Sequence, residues 1–280
     1  MWWFFGKHKT HLRPITGICF GTSYDQENEK SEKINRLFSI GKDRKLFEYN
    51  CVFDPNPVNY GKLEVKHVFD IELEAVPTAC IWYPMIDIKE NLVLTANDEY
   101  KMKLWNPNSS NSRKTCLGPT YGGAINKLKM LSFNERSDKF LLYSTEKKVI
   151  GLMKLPLDGN PNKTMGLIAH PDNVSDICCS RDGRFVFTCG GSDLSVNMWA
   201  VDVSPIETAI ELGGKGIEPF INLIEGGREG QTFQDINDFF YYSMIRSKKE
   251  NTTRTRKLDG QVPVEEIKML MRAMGYYPTK

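Results

Sequence analysis

The sequence predicts a mainly β fold in which one pattern of short antiparallel strands recurs about four times, followed by a small α-helical tail. Three observations predict it. Residues 170–199 hold three short apolar runs separated by two tight turns. Weaker copies of that pattern lie upstream, around residues 11–49, 79–105 and 121–152. After Gly216 the apolar spacing lengthens to three or four residues, the period of a helix.

The best-preserved stretch, residues 170–199, sets the scale for the others. Val174, Ile177 and Cys179 mark a first strand, and Ser180-Arg181-Asp182-Gly183 a turn. Phe185-Val186-Phe187 marks a second strand, Gly190 to Asp193 the next turn, and a third strand ends on Trp199. Bracketed by His170, Asp193 and Trp199, this resembles one blade of a WD-repeat β-propeller, a four-stranded sheet repeated around an axis. The resemblance implies a hydrogen-bonded cluster of His170, Asp193 and Trp199 with a Ser or Thr as fourth member. Cys189, a weaker partner, stands at the expected fourth position, so the cluster is expected to be incomplete. Its implied role is to lock a loop onto a strand rather than to move protons.

The other blades follow in order. In the first, His11, Ser39, Asp43 and Tyr49 take the four cluster positions, with Tyr for Trp. A polar insertion, Gly21 to Arg36, is expected as a loop in place of the usual short turn. Trp2 to Phe5 reads as the outer strand of a preceding blade. The second blade ends on Trp105, has no His, and carries Glu99 at the turn position. The third places Tyr121 at the His position and lacks both Asp and Trp. Glu207 to Leu212 is expected as the outer strand of the fourth. Four blades are too few to close the usual ring. Residues 1–215 therefore read as the C-terminal part of a partial propeller, whose remaining blades would come from upstream sequence or another chain.

Residues 216–280 form the second region. Phe233, Ile236, Phe240 and Met244 define one amphipathic helix; Val264, Ile267, Leu270, Met271 and Met274 define another that Gly275 stops. The helix–loop–helix resembles an EF-hand, most closely at residues 259–267 and 271–275. Aligned on Gly260, the loop carries Thr255, Lys257, Asp259, Gln261, Pro263 and Glu266, of which only Asp259 and Glu266 are carboxylates. A calcium loop needs six to eight oxygens. A fixed ammonium about 4 Å from a divalent ion costs roughly 8 kcal/mol at an effective dielectric near 20. The loop is thus expected not to bind calcium. An unpaired hand leaves its apolar residues to dock on the propeller's own surface or on a calmodulin-like partner, and Arg246, Lys248, Lys249, Arg254, Arg256 and Lys257 read equally as a solvated loop or as a contact for an acidic surface such as calmodulin or tubulin.

Degenerate blades followed by the strings at 223–230, 238–243, 245–247 and 271–278 resemble the cilia- and flagella-associated WD-repeat proteins of the calmodulin- and spoke-associated complex. The resemblance implies a scaffold at the base of a radial spoke on the doublet microtubule of the motile axoneme. Its partners would be spoke-associated proteins, a calmodulin-like subunit and tubulin. On the blades alone the chain would be a general WD-repeat adaptor of a soluble complex.

Composition is that of an ordinary globular protein. The 280 residues carry a net charge of +2, which supplies no global attraction for nucleic acid or membrane. The seven Cys form no C-x-x-C pair and read as reduced thiols, so the sequons at Asn108, Asn162, Asn173 and Asn251 carry no weight. Gly213 to Gly216 lacks the spacing of a phosphate loop, and no hydrolase or zinc motif is present. No catalytic, cofactor-binding or metal residue is expected, and the chain is read as a non-enzyme.

Overall fold

The computed structural model describes residues 7–24, 33–52, 62–86, 88–132, 139–160, 163–213, 218–248 and 259–277. Trp2 to Phe5, Thr255 and Lys257 lie outside them. The chain divides into two compact units, one running to Glu207 and the other starting at Thr208.

The first unit holds four antiparallel sheets. Blade one contains β1 (Ile15–Tyr24), β2 (Lys33–Gly41), β3 (Lys45–Val52) and β4 (Lys62–Asp70). Blade two contains β5 (Pro77–Tyr83), β6 (Leu92–Asn97), β7 (Lys101–Asn106) and β8 (Asn111–Leu117). Blade three contains β9 (Ile125–Ser132), β10 (Lys139–Thr145), β11 (Val149–Lys154) and β12 (Thr164–Ile168). Blade four has three strands among the described residues, β13 (Val174–Cys179), β14 (Phe185–Gly190) and β15 (Val196–Ala200). First strands neighbour one another in sequence, β1 with β5, β5 with β9 and β9 with β13, giving a propeller-like arrangement.

Alternation explains the packing. In blade one, Cys19, Phe38, Ile40 and Leu46 point toward blade two and meet Cys80, Val93, Trp82 and Trp105 in one core. The facing rows of blades two and three, Leu92, Leu94, Met102 and Leu104 against Leu128, Leu141, Tyr143 and Met153, make a second. Central strands are covered on both faces, so β6 is buried along its whole length. Gly21 is required for this approach. A Cβ there would lie 2.2 Å from the Trp82 ring, which stacks 5.7 Å from Phe38.

Two expectations are overturned. Residues Gly21 to Tyr24 and Lys33 to Arg36 are not loop: β1 and β2 continue in register from Phe20↔Leu37 out to Tyr24↔Lys33. The polar residues were misleading because an outer hairpin needs no apolar face to keep its ladder. Glu207 to Leu212 is not a strand but part of α1 (Ser204–Leu212). Ser204-Pro205 starts a helix, with the Ser204 N–H donating to Asp202, and Ile206 and Ala209 keep helical spacing on the buried side.

The second unit contains α2 (Gln231–Ser247) and α3 (Val264–Ala273), preceded by short 3-10 turns at Glu218–Leu223 and Gly227–Glu229. Gly275, at φ 87°, ends α3 in the left-handed conformation typical of a helix C-terminus. No helix among the described residues is long and apolar enough to cross a membrane.

Candidate functional site

One register position, on the second strand of each blade, organises the blade interiors. It is Ser39 opposite Ile18 and Phe47, Thr95 opposite Cys80 and Lys103, Tyr143 opposite Leu128 and Gly151, and Thr188 opposite Ile177 and Asn197. In every blade a bulge in the first-strand pairing lies a few residues away. The four blades solve this position in four ways.

In blade one, His11 Nδ1 lies 2.8 Å from Asp43, its Nε2 2.7 Å from Ser39 Oγ, and Ser39 Oγ 2.8 Å from Tyr49 OH. The ionised Asp43 can only accept, so His11 Nδ1 donates. Burial pushes the Asp43 carboxyl up, but bonds from His11 and the Leu12 N–H outweigh it and hold it below its ordinary value.

In blade four, His170 Nδ1 lies 2.7 Å from Asp193 and Nε2 2.8 Å from Thr188 Oγ1, which also accepts from Trp199 Nε1 at 3.0 Å. Thr188 therefore takes the place assigned to Cys189, and the cluster is complete. Cys189 pairs with Asp176 and Val196 and points to the other face of the sheet. Counting back from Asp193 misses by one residue because the turn after Gly190 is one residue longer than the turn after Gly41. Ser195, not anticipated from sequence, donates to Asp193 at 2.6 Å; that bond, with the one from His170, lowers the Asp193 pKa.

Blade two keeps Thr95 and Trp105 but has no His, and both Thr95 Oγ1 and Trp105 Nε1 are buried with no hydrogen-bond partner. Glu99 pairs outward with Lys101. The loop is held instead by a constellation the sequence did not announce: Asn97 donates to Glu72 at 2.9 Å, and Lys103 to the same carboxylate at 2.6 Å. In blade three Tyr121 is 61% exposed. Buried Tyr143 fills the register position instead, over Gly151, where a Cβ would lie 2.4 Å from its ring. Burial raises the Tyr143 pKa far above the phenol range. His11, Ser39, His170 and Thr188 are all buried, and their bonds tie a loop to the second strand of each blade.

Exposed apolar side chains lie elsewhere. Ile18 and Phe20 on blade one are 63% and 70% exposed, and Val196 and Met198 on blade four 69% and 59%. They lie on the two sheet faces that none of the other three blades covers. In the helical unit, Met244 is fully buried, Phe233, Ile236, Phe240, Leu270 and Met274 are half-buried, and Ile267 and Met271 are exposed. The two loop carboxylates already have cations. Glu266 is paired with Arg246, and Asp259 lies 3.1 Å from Lys248, whose bond, with one from the Gln261 N–H, lowers the Asp259 pKa. Gly260 sits between them at φ 70°, while Gln261 is exposed and Pro263 starts α3. No group of His, Cys, Asp and Glu among the described residues is placed to hold a metal ion.

No protein-family model matches the chain. It is 49% identical over 294 residues to cilia- and flagella-associated protein 251 of Tetrahymena thermophila, covering 99% of this chain and 29% of that protein. The proteins of the same name from Mus musculus and Pongo abelii are 39% and 36% identical across 100% of this chain, which spans 21% and 24% of their lengths. Among solved structures, a chain of an active polycomb repressive complex 2 in the basal state aligns with 71% of this chain at TM-score 0.50 and 17% identity, over 40% of its own length. That likeness shows the fold alone. Homologues named cilia- and flagella-associated protein 251 thus match this chain along its whole length, the chain spans less than a third of theirs, and its place is the cilium or flagellum.

Proposed function

We propose that the chain is a non-enzymatic scaffold of the motile axoneme, at the base of a radial spoke on the doublet microtubule, linking the spoke to the microtubule and to calmodulin-containing subunits. The observation that carries this reading is the pairing of ciliary homologues with exposed apolar side chains at both ends of the blade series, Ile18, Phe20, Val196 and Met198, and on the helical hand. Exposed apolar rows of this kind favour permanent assembly over a free soluble state. The blades take the role of WD repeats, with His11, Ser39, Asp43 and Tyr49, and His170, Thr188, Asp193 and Trp199, as their internal clusters. The hand docks through Ile267, Leu270, Met271 and Met274 without calcium of its own, since Arg246 and Lys248 occupy its carboxylates. A general adaptor of a soluble complex is the alternative, favoured only by the blades.

Cross-linking mass spectrometry on isolated axonemes tests the placement. The expected result is cross-links from residues 231–277 to calmodulin-like or spoke subunits, and their absence would remove it. Calorimetric titration of the full chain with calcium tests the hand, with no binding expected at micromolar concentration.

A further inference from the structure

Two thiols that the blade clusters do not use meet between blades one and two. Cys19 lies on β1 and Cys80 on β5, the first strands of their sheets, and each is only 8% exposed. Both belong to the core that joins the two blades. Gly17, Cys19 and Gly21 alternate onto one face of β1. The two glycines let β5 come close. A Cβ on Gly17 would lie 3.0 Å from Cys80 Sγ and 3.3 Å from the Cys80 backbone nitrogen, and Gly21 faces the Trp82 ring. Thr16 ties the same two strands together, its hydroxyl donating to the Pro77 carbonyl at 2.7 Å. Cys19 thus stands between two points where β1 and β5 touch.

Both are free thiols, and they lie within hydrogen-bonding reach of each other. That bond, and then burial, pushes the Cys80 pKa well above the ordinary thiol value. A disulfide requires Cα atoms within about 7 Å and side chains that face each other. The strand approach at Gly17 and the paired thiols answer those two demands. The bridge would close a loop of about 60 residues, long enough to remove much of the disorder open to the unfolded chain.

We propose that Cys19 and Cys80 form a redox-sensitive staple, which hydrogen peroxide closes to a disulfide that fastens the first strand of blade one to the first strand of blade two. One sulfur, as its thiolate, attacks a peroxide oxygen. The O–O bond breaks, leaving a sulfenic acid and a hydroxide that takes up the released proton as water. The second thiol gives up its proton and attacks the sulfenic sulfur. The S–S bond forms, and the sulfenic hydroxyl leaves with that proton as a second water. Two electrons pass from the sulfur pair to the peroxide. The thiolate is the reacting form and Cys80 holds its proton tightly, so the staple closes under sustained rather than brief oxidant. The inference goes beyond the scaffold reading and does not depend on the spoke placement.

The test exposes the full chain to hydrogen peroxide near neutral pH. Free thiols are then alkylated in denaturant, and the cysteine peptides of the monomer are mapped by mass spectrometry before and after dithiothreitol. A peptide pair joining Cys19 to Cys80 is expected, and dithiothreitol should release it. Closure should raise the unfolding temperature by at least about 5 °C, as a bridge over a loop of this length implies. Neither Cys19→Ala nor Cys80→Ala should show that rise. The exposed Cys178 reports general oxidation. Free Cys19 and Cys80 thiols after Cys178 has been oxidised would overturn the proposal. So would either residue bridged to a different cysteine, either carried to a sulfinic acid instead, or a bridge that leaves the unfolding temperature unchanged. The peptide map of the unsubstituted chain decides even where a variant does not fold.

Discussion

Blades two and four place the same two side chains at the same two register positions, Thr95 with Trp105 and Thr188 with Trp199. In blade four, His170 joins them and every polar atom of the cluster is bonded. In blade two the His is missing and both partners are orphaned. Yet blade two packs into a core on each face, whereas Val196 and Met198 leave one face of blade four exposed. The polar cluster therefore matters most where apolar burial is thin. Where two cores clamp the sheet, register is held by packing, and an unsatisfied hydroxyl and indole are tolerated.

The contrast can be broken most directly through the core. Leu94→Ala in blade two, at a fully buried position, should cost about 3 kcal/mol in urea denaturation, more than any change to the polar cluster there. Next comes His170→Ala, which takes one partner from Asp193 and one from Thr188 and should cost about 2 kcal/mol by the same measurement. The threonines should then differ in sign. Thr188→Val breaks two bonds and should destabilise by about 1 kcal/mol, whereas Thr95→Val removes a buried unpaired hydroxyl and should stabilise by about 1 kcal/mol. Equal signs would dissolve the comparison.

Acid acts on the clusters directly. Asp43 and Asp193 have folded-state pKa values below the ordinary 3.8. The stability each contributes is complete above that value and is lost as pH falls through the lowered folded value. Asp43→Asn should therefore flatten the loss of stability below pH 3.8, read as unfolding temperature against pH. The smallest effect is expected at Leu194, which follows the turn Asp at φ 54° and is 92% exposed. Leu194→Gly relieves the left-handed conformation and should stabilise by up to about 1 kcal/mol.

The blades were legible in the sequence wherever strand alternation and the turn Asp agreed. Asp43 with Tyr49 and Asp193 with Trp199 keep the same spacing, so strand three could be placed from either end. Thr188 was missed because one extra turn residue shifts the count. Glu72, Asn97 and Lys103 were missed because three residues distant along the chain meet only in the folded sheet, and none is diagnostic by type. The outer hairpin of β1 and β2 was missed because its ladder continues after the apolar signal has ended. Asp259 and Glu266 could be read as leftover ligands, but their pairing with Lys248 and Arg246 depends on where α2 ends relative to α3.

That last pairing sets what the hand responds to. With Arg246 on Glu266 and Lys248 on Asp259, the two arms are joined by monovalent charges of the chain itself. Their strength varies with ionic strength, over a screening length of about 8 Å at physiological salt. The joint would therefore stiffen in dilute buffer and slacken as salt rises, an elbow tuned by the medium around it.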